Sequence, residues 1–121
     1  MDFNIVKKQI ISEYLKLNGS YCDSDEWSMK ACINVFRYYY ERYRTVFRKD
    51  HPNISSDTVR RILEALPVAR SEDGDELYLS PEEYPQLIDA HFETKYPRCN
   101  YSIAHFMTGK IRLMKYYEAV Y

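Results

Sequence analysis

The sequence predicts a mainly α protein of about five helices with one short β-hairpin, forming a single domain over residues 1–121. Three observations carry this. Through most of the chain apolar residues recur at spacings of three and four, the period that gathers them on one face of a helix. One stretch, residues 68–79, breaks that period around Asp73-Gly74, a dipeptide suited to a tight turn between paired strands. A chain of 121 residues with 45% hydrophobic content can build one core and is too short for two ordinary ones.

The elements follow in order. Phe3, Val6, Ile10, Tyr14 and Leu17, with Ile11 alongside, predict an amphipathic helix stopped by Asn18-Gly19. A second helix is expected over about 25–49, with Asp23 or Ser24 as its cap and His51-Pro52 beyond its end. Met29, Ile33, Phe36, Tyr40, Tyr43 and Phe47 alternate steps of four and three, so they form one narrow seam, heptad-like enough to suggest a homodimer. Lys30, Arg37, Arg44 and Arg48 share a flank of this helix, where Arg37 and Arg44 can each reach Glu41. Tyr38 and Arg42 fall away from the seam and are candidates for external contact.

Ser55 or Ser56 starts a third helix with Val59, Ile62, Leu63 and Leu66 on its apolar face, and Pro67 ends it. Val68 and Arg70, then Leu77, Tyr78 and Leu79, are the hairpin strands. Ser80-Pro81-Glu82-Glu83 opens a fourth helix, since serine caps and proline suits the first helical position. That helix carries Tyr84, Leu87, Ile88, His91 and Phe92 and closes at Tyr96-Pro97. The remainder repeats Ile103, Met107, Lys110, Met114, Tyr117 and Tyr121, with Gly109 either dividing it or weakening it.

Charge is segregated along the chain although the total is −1. Residues 35–62 hold seven basic side chains against three acidic, whereas residues 71–94 hold eight acidic and no Lys or Arg. Such separation creates local fields that a near-neutral total conceals. Three cysteines, Cys22, Cys32 and Cys99, without a CxxC pair or a leading signal peptide, lead to the expectation of a reduced, cytoplasmic protein. Uninterrupted apolar runs of only a few residues predict no membrane span.

Residues 53–84 resemble the second half of winged helix-turn-helix DNA-binding domains: a Ser-initiated helix with TVRRILEAL, a two-stranded wing turning at Asp73-Gly74, and a Leu-Ser-Pro-Glu entry into the next helix. The resemblance implies a helix in the major groove of double-stranded DNA, with Ser55, Ser56, Asp57, Thr58, Arg60 and Arg61 as the contacting set. With Arg37, Tyr38, Arg44 and Arg48 they would form a basic helix pair that neutralises phosphates. The expected function is therefore a small non-catalytic nucleic-acid-binding or regulatory protein. The alternative is a protein-interaction module that docks a basic partner through Glu72, Asp73, Asp75, Glu76, Glu82 and Glu83 and a tyrosine-rich surface.

The chain has no phosphate-binding glycine loop, nucleophile elbow or HExxH, so neither an enzyme nor a cofactor is expected. His91, Cys99 and His105 match no zinc spacing, and no metal is expected.

Overall fold

The computed structural model describes residues 3–17, 27–70, 76–93 and 101–107. Its elements are α1 (Phe3–Lys16), α2 (Met29–Phe47), α3 (Ser56–Ala65), two short strands β1 (Val68–Arg70) and β2 (Glu76–Tyr78), a 3-10 turn (Pro81–Glu83) and α4 (Tyr84–Glu93). Residues 103–107 form one further helical segment, α5. The expected stops at Asn18-Gly19 and Tyr96-Pro97, the caps Asp23 and Ser24, the Asp73-Gly74 turn and everything from residue 108 onward lie outside the described residues.

Helix α2 starts about four residues later than expected because another serine caps it. Ser28 is extended, and its hydroxyl accepts the Ala31 N–H at 3.2 Å, meeting one of the backbone donors that a helix start leaves unpaired. Trp27, just before the cap, is fully buried. At the far end Arg48 adopts the left-handed conformation, φ 56°, and its N–H closes on the Arg44 carbonyl at 2.8 Å. Of the two serines that could start α3, Ser55 is the cap, accepting the Thr58 N–H at 3.1 Å. The fourth helix is split: Pro81–Glu83 form a 3-10 turn, held by the Ser80 N–H on the Glu83 carboxylate at 2.9 Å, and the α-helix begins at Tyr84.

One core joins all the helices. Val6 and Ile10 of α1 meet Phe36, Tyr39 and Tyr40 of α2, Val59, Ile62 and Leu63 of α3, Leu87 and Ile88 of α4, and Ile103 and Phe106 of α5. Burying side chains of this size stabilises by about 1.5–3 kcal/mol each before chain entropy is counted. The buried face of α2 is broader than the predicted seam, since Cys32, Val35 and Tyr39 are buried with it while Phe47 is exposed. The seam that suggested a homodimer is thus largely occupied within the chain.

The aromatic excess has a second use. The segments between helices leave carbonyls without helical partners, and aromatic donors reach them from the core. Trp27 Nε1–H donates to the Leu79 carbonyl at 2.7 Å, Tyr84 to that of Leu66 at 2.7 Å, Tyr39 to that of Tyr101 at 2.6 Å, and Tyr14 to that of Trp27 at 3.0 Å. Each ring fills apolar space while its polar end satisfies a loop, which a leucine could not do.

The winged-helix expectation fails, and the DNA-binding one that depended on it fails too. Helix α3 packs chiefly on α1, which also packs on α2, so the consecutive α2–α3 pair of a helix-turn-helix does not form. Residues 48–55 separate those two helices in place of a tight turn. The expected hairpin shrinks to three residues on each side, Val68 opposite Tyr78 and Arg70 opposite Glu76, with Leu79 N–H adding a bond to the Pro67 carbonyl at 2.8 Å. This pairing makes no sheet layer and no wing, and the fold is mainly α. Among the described residues no helix is long and apolar enough to cross a membrane.

Candidate functional site

Among the hollows that border α2, one lies toward α4 and another toward α1. The first is a groove of about 370 Å³. Ala31, Asn34, Val35 and Tyr38 of α2 form one wall, and Pro81, Glu82, Tyr84 and Pro85 form the other. The prolines follow from local chemistry: Pro81 sits just after the Ser80 cap, and Pro85 lies in the first turn of α4, where the missing N–H costs nothing. Glu82 is exposed on the rim.

Polar contacts clamp this flank. The Tyr38 hydroxyl donates to the Asp89 carboxylate, 2.8 and 2.9 Å from its two oxygens, and Arg42 Nε stands 3.3 Å from the same group. Burial, followed by the bond to Asp89, pushes the Tyr38 phenol above its usual range, so it remains a donor. Tyr38 and Arg42, expected to face outward for a partner, instead join α2 to α4.

The second hollow is a cleft of about 130 Å³. Phe3, Tyr40 and His51 supply its rings, and Arg37, Glu41, Arg44 and Asp50 its charges. Tyr40 stacks on His51 with ring centroids 4.4 Å apart and meets the edge of Phe3 at 5.7 Å. His51 is fixed from both sides: Nε2 accepts the Ile103 N–H at 3.0 Å, which leaves the proton on Nδ1 to donate to the Pro52 carbonyl at 2.7 Å. Burial lowers its pKa, in keeping with a neutral ring.

Tyr40 differs from the other core tyrosines. It is 7% exposed, and its hydroxyl is buried without a hydrogen-bond partner among the described residues. An unmatched buried hydroxyl costs about 1–3 kcal/mol. Nor do the charges beside it close on each other as expected. Arg37 lies over the Phe3 ring at 5.2 Å and donates to Asn34 at 3.3 Å, Arg44 Nε is 3.8 Å from Asp50, and Glu41 forms no ion pair with a described residue.

The residues expected to bind nucleic acid do not converge. Arg37, Arg44 and Arg48 belong to α2, while Arg60 and Arg61 belong to α3, and α1 packs against both helices. Arg60 and Arg61 both pair with Asp57 on their own helix, Arg61 at 3.2 Å. Ser55 is committed to its cap and to Thr58 Oγ1 at 2.9 Å, and Ser56 receives Gln9 Nε2 from α1 at 3.4 Å. Gln9 also donates to the Ile54 carbonyl at 2.8 Å, so α1 covers the turn expected to meet bases. Of the acidic set, Glu82 and Glu83 flank the groove, Glu76 lies in β2, and Glu72, Asp73 and Asp75 are outside the described residues.

Sequence reasoning missed Tyr39, His51 and Asp89. Tyr39 fell outside the narrow seam, His51 registered only as a helix end, and Asp89 was one acid among eight. Their roles depend on partners 51 to 63 residues away in the chain, which no local spacing reveals. Among the described residues no group of three or more His, Cys, Asp or Glu could hold a metal ion. No protein-family model matches the chain, and neither a curated protein nor a solved structure is significantly similar to it.

Proposed function

We propose that this chain is a non-catalytic protein-interaction module whose groove between α2 and the Pro81–Glu93 arm takes a basic segment of a partner protein. The observation that carries the reading is the pairing of an apolar floor with an acidic rim residue, Glu82. Val35, Pro81, Pro85 and the Tyr38 ring can receive an apolar anchor, and Glu82, with no ion pair to a described residue, stands at the rim. Glu82 and the neighbouring Glu83 put carboxylates at this edge, which favours cationic side chains beside the anchor. The Tyr38–Asp89–Arg42 contacts hold the walls in position before a partner arrives, which lowers the ordering cost of binding.

Fluorescence anisotropy with short labelled peptides tests this reading. Each peptide carries one leucine or phenylalanine flanked by lysines or arginines, and each is matched with a copy in which glutamate replaces the basic residues. Basic peptides should bind more tightly, with an affinity that falls as salt rises. Ala31→Trp, which fills the groove, should abolish binding, and Glu82→Lys should weaken it about tenfold. Equal affinity for basic and acidic peptides, or binding unaffected by Ala31→Trp, would refute the proposal.

A further inference from the structure

We propose that residues 101–107, the segment that carries α5, are an acid-released latch: proton uptake at His51 and His91 detaches the segment while α1–α4 stay folded. The latch is independent of the groove, since none of the groove's lining residues is a histidine or belongs to the segment. The chain has three histidines, and all of them meet here. His51 reaches the segment from the connection between α2 and α3, His91 from α4, and His105 lies within it.

The contact at His51 requires a neutral ring. Ile103 opens α5, so its N–H is one of the donors that a helix start leaves unpaired, and His51 Nε2 accepts it at 3.0 Å. A backbone N–H only donates, so Nε2 must present its lone pair. Nδ1 already donates to the Pro52 carbonyl at 2.7 Å, which leaves Nε2 as the place for an added proton. That proton sets two donors against each other at a position 2% exposed, and the bond to Ile103 is lost. The rings of Tyr39, Tyr40 and Tyr43 face His51 from α2. In the hollows it borders, Arg37, Arg44 and Lys49 outnumber Glu41 and Asp50, so the local charge does not favour an imidazolium.

His91 acts from the other side. It is 1% exposed, and its ring lies 5.3 Å from those of Tyr101 and Phe106 and 5.8 Å from that of His105. Tyr39 faces it from α2 at 6.1 Å, and Phe92 of its own helix lies at 5.6 Å. A proton here buries a charge among aromatic rings and opposes the positive form of His105 across the contact of α4 with α5. Burial holds both His51 and His91 below the usual range, His91 at about 4. As the pH falls below about 6.5, the detached segment therefore leaves these rings able to take up protons that the docked form refuses.

Detachment stops at α5 because the other helices do not rest on it. Five residues are too few for a helix to persist alone. Its described anchors are Ile103 and Phe106 in the core, the Tyr39 hydroxyl, 2.6 and 3.1 Å from the Tyr101 and Ser102 carbonyls, and the histidine contacts. The packing of α1 on α2 and α3, and of α2 on α4, does not pass through it. Such a segment belongs to the low-stability end of a fold.

Amide hydrogen exchange of the full chain, read residue by residue by NMR and corrected for the intrinsic effect of pH, tests the latch. The Ile103 and Phe106 amides should lose protection at least about tenfold between about pH 7 and about pH 5, the effect of one linked proton. At the acid end the Phe36 and Leu63 amides should remain at least about tenfold better protected than these two. His51→Gln, whose side-chain oxygen can accept the Ile103 N–H without titrating, should shrink the loss about threefold or more. Imidazole nitrogen NMR of the unaltered chain needs no variant: at neutral pH it should find the His51 proton on Nδ1 and none on Nε2. A proton on Nε2 at neutral pH, Ile103 protection that does not change with acid, or Ile103 and Leu63 falling to the same level together would each overturn the assignment.

Discussion

The two flanks of α2 are built from similar residues and behave in opposite ways. Toward α4, Tyr38 and Arg42 converge on one carboxylate, Asp89, the tyrosine by a hydrogen bond and the arginine as an ion pair, so two residues of one helix hold it to another. Toward α1, Tyr40, Arg37 and Arg44 occupy equivalent helical positions, yet the hydroxyl has no described partner and Arg44 reaches Asp50 only as a 3.8 Å ion pair. The difference lies in what the neighbouring element supplies. Helix α4 brings a carboxylate to the right height, whereas α1 brings the ring of Phe3, which orients Arg37 without neutralising it. Residue type alone therefore does not separate a closed contact from an open one.

The largest effect expected concerns pH and sharpens this contrast. Burial, with the nearby His105 as a lesser cause, lowers the His91 pKa to about 4, and His51 is lowered as well. As pH falls below about 6.5, the unfolded chain takes up protons that the folded chain still refuses. Stability is thus fullest above pH 6.5 and falls by about 3 kcal/mol toward pH 4 from His91 alone. Urea denaturation across that range should show the loss, and His91→Phe should flatten most of it. A slope unchanged in His91→Phe would move the sensitivity to the His51 side.

Asp89→Ala removes the acceptor of the Tyr38 hydroxyl and the ion-pair partner of Arg42 and should cost about 1 kcal/mol in thermal unfolding, a figure restrained by the partial exposure of the ion pair. On the other flank Arg44→Ala, whose side chain is 75% exposed, should change stability by no more than about 0.5 kcal/mol. Equal losses from the two would erase the distinction between the flanks.

The helical elements were legible where a strong local signal existed. Ser55 before TVRRILEAL, with Val59, Ile62 and Leu63 at helical spacing, gave α3 nearly to the residue, because capping and periodicity are both local. The start of α2 was misplaced since several residues before it could cap, and the choice of Ser28 accompanies the burial of Trp27 beneath a loop 52 residues away. The winged-helix reading failed for a related reason: short strands after a helix are a local pattern, while the packing of α3 on α1 is decided by which apolar faces meet. Of the groove, Glu82 and the prolines were visible in sequence, but the facing wall was not. The cleft was represented only by Arg37 and Arg44, read as a phosphate surface, since nothing nearby discloses that Phe3 and His51 return to the same place.

Tyr38→Phe and Tyr40→Phe, compared by urea denaturation in the same buffer, test the contrast most directly. The same atom is removed two positions apart on one helix. Tyr38→Phe should lose about 1 kcal/mol as Asp89 forfeits a donor, while Tyr40→Phe should be neutral or more stable, because a buried hydroxyl without a partner is removed. A Tyr40→Phe protein destabilised as much as Tyr38→Phe, or more, would contradict the account.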